Sequence, residues 1–194
     1  MAAPIKLNLK VYQGSTFRQV LRWESSTKVY APITNITRSA PVVITAPVHN
    51  LPLGWRARVT NAGGMKEINQ LDYQTATEIT SNTVVFNQVN SLAYTAYTGG
   101  GVLEYNQPVD LFGYTARMQI REKLTSTVVV HTLTTENGGI TLNNTLKTIA
   151  LNIPDEVTAL FSFASAVYDL ELMLGGEVIP FASGTLTLQR EVTR

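Results

Sequence analysis

Apolar side chains in this chain recur at every second residue, in short runs that Gly, Pro or Asn then breaks. A period of two puts one face of an extended strand in a core and the other in water, so the pattern predicts an all-β fold. The stretch from Gln107 to Arg121 shows it most clearly. Pro108, Asp110 and Gly113 form a turn, after which Tyr114, Ala116, Met118 and Ile120 fall on one face and Thr115, Arg117, Gln119 and Arg121 on the other. Ile5, Leu7, Leu9 and Val11 repeat the alternation near the start. Across the Gln13-Gly14-Ser15 turn, Phe17, Leu21 and Trp23 predict the returning strand of a hairpin. Only residues 155–161 read as a helix, with Pro154 at its start and Asp155 and Glu156 in its first turn.

The length of 194 residues suffices for one large or two small β domains. Apolar residues make up 44% and charged residues 15%, which predicts a globular chain whose surface is rich in Thr, Asn, Ser and Gln. There is no cysteine, so neither a disulfide framework nor thiolate chemistry is available. The net charge of +1 calls for neither nucleic acid nor membrane. No apolar run reaches the roughly 18 residues of a membrane-spanning helix. The opening MAAPIKLNLK lacks the apolar core of a secretory signal, so a soluble protein used without membrane insertion is expected.

Between Ser39 and Tyr105 the texture changes to shorter strands: 41–45, 55–60, 82–86 and 102–105, with Trp55, Ala57 and Val59 on one face and Ile68 and Tyr73 as anchors. Short strands each ended by Gly, Pro or Asn describe a small barrel. After Tyr105 the longer strands return at 127–133, 140–142, 147–153, 166–172, 177–181 and 184–189. Their number and their Gly-centred turns predict an immunoglobulin-like β-sandwich.

Two resemblances organise these parts. The phrase from Pro108 to Arg121, PVDLFGYTARMQIR, with VYDLEL at 167–172 and SGTLTLQREVTR at 183–194, is similar to a family of tailed-bacteriophage structural proteins. In shorter members of that family a strand like Leu21-Arg22-Trp23 runs almost directly into the P-x-D-L-x-G-Y strand, so the resemblance implies that residues 39–106 are an insertion. The insertion carries its own signature, VITAPVHNLPLGW followed by GGMKEIN and NTVVF. It resembles the small β-barrel module of phage proteins that is similar to one domain of ubiquitin-activating enzymes. That likeness concerns shape only, because a Cys nucleophile is absent. The expected organisation is therefore a discontinuous sandwich from residues 1–38 and 107–194, interrupted by a barrel at 39–106.

The residues offer little chemistry. His49 and His131 are the only histidines and lack metal-ligand spacing, so no cofactor or metal is expected. Asp169 and Glu171 share a strand face, a pair that suits glycoside chemistry in principle but reads more simply as the polar side of a strand whose other side is Tyr168, Leu170 and Leu172. Gly99-Gly100-Gly101 lacks the Lys and Ser/Thr of a phosphate loop. Tyr94, Tyr97 and Tyr105 are candidates for a sugar-binding surface. Up to Arg38 the chain places six basic residues against Glu24 alone. Lys6, Lys10, Arg18 and Arg22, with Arg190 and Arg194 at the other terminus, are the candidate interface residues, and both termini are expected to act as arms that reach a neighbour. No aromatics interleave with these cations at regular spacing, so direct nucleic-acid binding is not expected. The resemblance implies a non-enzymatic virion protein, assembled in the host bacterial cytoplasm as a symmetric ring or collar at the neck or tail. Its partners would be its own copies and neighbouring portal, neck or tail proteins. A carbohydrate-binding module of a tail fibre or baseplate is the alternative.

Overall fold

The computed structural model describes residues 4–191, which separate into two compact units: residues 4–22 with 110–191, and Trp23–Val109. The first unit opens with β1 (Ile5–Lys6), β2 (Leu9–Tyr12) and β3 (Phe17–Leu21). The second contains β4 (Glu24–Pro32), β5 (Asn35–Ile36), β6 (Val42–Thr45), β7 (Arg56–Thr60), a 3-10 turn at Lys66–Gln70, β8 (Gln74–Thr75), β9 (Glu78–Ile79), β10 (Thr83–Phe86) and β11 (Val102–Pro108). The first then resumes with β12 (Thr115–Arg121), β13 (His131–Thr134), β14 (Ile140–Asn143), β15 (Thr148–Ile153), a short helix α1 (Asp155–Ala159), β16 (Ser165–Leu174) and β17 (Glu177–Gln189). The chain is all-β, and none of the described helices is long and apolar enough to cross a membrane.

In the first unit one sheet runs β1-β17-β16-β12-β13, with β2 also on β17, and a second runs β14-β15-β3. The alternation in β12 acts as its spacing requires. Ala116, Met118 and Ile120 are fully buried, opposite Leu172, Leu170 and Tyr168 of β16 in antiparallel register, while Tyr114 just before the strand is half-buried. Ile149, Leu151 and Ile153 bury the inner face of the three-stranded sheet.

The predicted hairpin of residues 5–23 does not form. β2 pairs in parallel with β17, through Leu9–Leu186 and Val11–Leu188, whereas β3 pairs with β15 in the other sheet. Between them the Gln13 side-chain amide donates to the Ala159 carbonyl at the end of α1 and to the Phe161 carbonyl just past it, where the chain passes from one sheet to the other. The expectation of a free N-terminal arm is corrected likewise. Residues 5–12 are edge strands of the six-stranded sheet, with Leu9 and Val11 in the core.

Gly184 holds that edge in place. A Cβ there would sit 2.1 Å from the Leu7 carbonyl oxygen, which the Tyr168 hydroxyl reaches with a 2.6 Å hydrogen bond. Gly184→Ala should therefore push the N-terminal strand off β17, at a cost of about 1–3 kcal/mol typical of overpacking. Hydrogen exchange at Leu9 and Val11 should accelerate in that variant, and unchanged protection would show that the backbone can move aside.

The second unit holds two four-stranded sheets, β5-β6-β10-β9 and β4-β11-β7-β8, around one core that includes Ile44, Trp55, Val84, Phe86 and Leu103. Its boundary differs from the expected residue 38. Residues 24–36 belong here because β4 pairs with β11 and β5 with β6, and half-buried Trp23 falls in this unit instead of the flanking one. The two ends of the unit lie side by side, the Val109 amide donating to the Trp23 carbonyl at 3.0 Å. Adjacent ends are what lets a domain sit within another chain segment. Replacing residues 23–109 by a short Gly/Ser linker is thus expected to leave a first unit that melts cooperatively, and a gradual, non-cooperative melt would overturn that expectation.

Candidate interaction surfaces

Of the six candidate cations, the five among the described residues stand on separate elements. Lys6 lies on β1, its ammonium donating to the Ser183 hydroxyl at 2.9 Å, and Lys10 on β2 sits 4.9 Å from the Tyr12 ring centre. Arg18 is exposed on β3 in the other sheet, and Arg22 beyond it donates to the Leu146 carbonyl at 2.8 Å. Arg190 reaches the Ser162 carbonyl at 3.3 Å, and Arg194 lies outside the described residues.

A more organised polar face occupies the second unit. Register places Tyr30 of β4 and Arg58 of β7 on either side of Glu104 of β11, with Lys28 beside Asn106, so these side chains share the outer face of the β4-β11-β7-β8 sheet. Tyr73, just before β8, closes the cluster. Its hydroxyl donates to Glu104 Oε1 at 2.6 Å and accepts a short hydrogen bond from Lys28. Lys28 and Arg58 also approach the Glu104 carboxylate, at 3.2 and 3.1 Å. Arg56 binds Glu24 through two 2.7 Å hydrogen bonds, and Asn106 donates to the same carboxylate at 3.0 Å. Lys28, Arg56 and Arg58 lie 4.8, 5.5 and 5.3 Å from the centre of the Tyr73 ring. Cations at that separation gain from the ring quadrupole.

Glu104 is the centre of this network. The Tyr73 hydroxyl, then Arg58 and Lys28, hold its carboxyl down at about 2, against the desolvation that would raise it. A depressed carboxylate adds stability above its unfolded value near 4.5, and that contribution is lost as pH falls through the folded value. The second unit should therefore weaken between about pH 5 and pH 2, and Glu104→Gln should flatten this part of the profile. Circular dichroism melts across that range check it. An unchanged profile in the variant would remove Glu104 as the cause.

The sequence alternation placed Trp55, Ala57 and Val59 on one face of this strand. It carried no sign of Tyr73, Glu104 or Lys28 as partners, because those pairings depend on which strands lie side by side.

The remaining candidates have structural surroundings. His49 is buried, with Nε2 2.9 Å from the Thr80 carbonyl and Nδ1 accepting the Leu51 amide at 3.0 Å, so both ring nitrogens are engaged in tying a loop to the β9–β10 hairpin. His131 opens β13 half-buried with its ring 6.2 Å from Phe161, and burial pushes its pKa down. Asp169 and Glu171 share the outer face of β16, where Glu171 takes Arg117 at 2.8 Å beside a shallow groove that Gln119 and Arg121 also line. The tyrosines form no exposed platform: Tyr105 is buried with its hydroxyl on the His49 carbonyl, Tyr97 bonds the Ile33 and Gly100 carbonyls, and Tyr94 packs on the core. Among the described residues no three His, Asp or Glu side chains gather as a metal site. No protein-family model matches the chain, and no curated protein matches it.

Proposed function

We propose that this chain is a non-enzymatic structural protein of a tailed-bacteriophage virion, an immunoglobulin-like sandwich with an inserted small barrel that works by binding its neighbours. The observation that carries the proposal is the meeting of separated segments. The stretches at 107–121 and 166–189, which bear the likeness to phage structural proteins, pair in one sheet through β12, β16 and β17, while the stretch that interrupts the likeness folds around its own core. That segments distant in sequence, both bearing the resemblance, share one sheet supports reading them as one scaffold with an insertion.

The edges support the reading of assembly as a ring or collar at the neck or tail. β13, β14 and β3 end their sheets with one side unpaired, and Phe112, Leu124 and Leu160 stand well exposed on connecting segments of the same unit. Unpaired strand edges and exposed apolar side chains are the groups that neighbouring copies or partner proteins cover. Mass spectrometry and microscopy of purified particles test the proposal. The chain should be present in a copy number that fits a closed ring, and its absence from particles would refute the assignment.

A further inference from the structure

β13 is the last strand of its sheet, yet its outer edge is not bare. It pairs with β12 on one side, and in an antiparallel ladder every second residue turns its N–H and C=O away from the partner. The Thr135 amide donates to the Ala116 carbonyl of β12, so Thr134 and Thr132 are the residues that turn away. Asn137, in the turn that follows, meets both of them with its side-chain amide. Oδ1 accepts the Thr134 N–H at 2.8 Å, and Nδ2 donates to the Thr132 carbonyl at 2.9 Å. A carboxamide carries the donor and acceptor of a peptide group, so Asn137 caps this edge as one residue of an added strand would. Oδ1 also accepts the Gly139 N–H at 2.9 Å, and it lies so close that a Cβ on Gly139 would stand 2.9 Å from it.

The capping residue is also the one asparagine in the chain that a glycine follows. An asparagine side-chain amide is open to attack by the next backbone nitrogen, and glycine, without a Cβ, leaves that nitrogen least hindered. Asn137 and Gly138 are both exposed, and a Cβ on Gly138, whose φ is +74°, would meet open space, so water reaches the site. The Thr134 and Gly139 amides are two donors already aimed at Oδ1, the oxygen that becomes negative when the nitrogen adds, as in an oxyanion hole. We propose that Asn137 is a site of spontaneous deamidation, and that the change uncaps the edge of β13. The Gly138 nitrogen gives its proton to water or hydroxide and bonds to Asn137 Cγ. The Cγ–Nδ2 bond then breaks, and ammonia leaves with a proton taken from water, closing a five-membered imide. Water adds to one of the two imide carbonyls and opens the ring, to aspartate or to isoaspartate, with no oxidant or reductant involved. Aspartate puts a carboxylate oxygen where Nδ2 faced the Thr132 carbonyl, so two acceptors meet with no proton between them. Isoaspartate adds a backbone carbon to the turn and draws the same group away. The site does not depend on whether the chain belongs to a virion.

The test is peptide mapping by mass spectrometry of the folded full chain during storage in mildly alkaline buffer, with an isoaspartyl methyltransferase assay on the same samples. The mass gain of one amide-to-acid change should accumulate at Asn137 and run at least tenfold lower at Asn143 and Asn144, which share its tryptic fragment. Gly138→Ala should slow the gain at least fivefold, with melting curves confirming that the variant folds. Asn137→Asp makes one product directly. It should speed hydrogen exchange at the Thr134 and Gly139 amides at least fivefold, while Leu9 and Val11 at the far edge of the sheet keep their protection. Equal gains at the three asparagines would overturn the proposal. So would modification of the urea-unfolded chain while the folded chain stays intact, since the turn would then protect the amide. Unchanged exchange in Asn137→Asp would overturn the uncapping.

Discussion

Trp55→Ala should destabilise the second unit by about 3–5 kcal/mol, the range for removing a large buried aromatic. Trp55 is fully buried at the start of β7 and belongs to the core that both sheets of its unit share, with Ile44, Val84 and Phe86 on one side and Ala57, Val59 and Leu103 on the other. Its indole N–H also donates to the Asn106 carbonyl of β11 at 2.8 Å. The loss thus combines a cavity at the centre of the unit with an unmade hydrogen bond between two strands. Trp55→Phe keeps much of the volume without the donor and should fall between the two. Hydrogen exchange resolved by residue is the suitable measurement, since it reads residues 23–109 apart from the rest. A loss below about 1 kcal/mol would mean that the core closes around the gap, in contrast to the behaviour of close-packed interiors.

Met118→Ala is expected to cost the first unit about 2–5 kcal/mol, while its neighbour Arg117→Ala should cost under about 1 kcal/mol. The contrast follows from one strand having two faces. Met118 is fully buried opposite Leu133 of β13 and Leu170 of β16. Arg117 points outward to Glu171 at 2.8 Å with its side chain 48% exposed, in water that already screens the pair. Chemical denaturation of both variants decides the matter, and equal small losses would mean that the faces of β12 are assigned the wrong way round.

Strand position and strand face were legible in the sequence wherever apolar residues alternate. The predicted segments at 41–45, 55–60, 82–86, 140–142 and 147–153 each meet a strand that differs only at its ends, and the short helix after Pro154 forms from Asp155 to Ala159. Two segments departed from the pattern. The apolar run at 127–133 yields a strand only from His131, because Ser126 accepts the Arg121 guanidinium at its carbonyl and folds 126–128 into a loop that leaves Val128 exposed. The runs at 177–181 and 184–189 merge into β17, which continues past Pro180 with a register shift against β16.

What the sequence by itself determined was the all-β class and the split of each strand into a buried and a wet face, since both depend on a period of two that neighbouring residues set. Partnership was decided only by the tertiary structure. Leu9 and Val11 alternate as a hairpin strand would, yet they pair in parallel with a strand at 186–189, near the other end of the chain. Lys28, Tyr73 and Glu104 show no mark of one another in the sequence, yet they share hydrogen bonds once β4 and β11 lie in register. Alternation specifies what a strand buries, and the choice of partner is settled by which arrangement of all the strands buries those faces together.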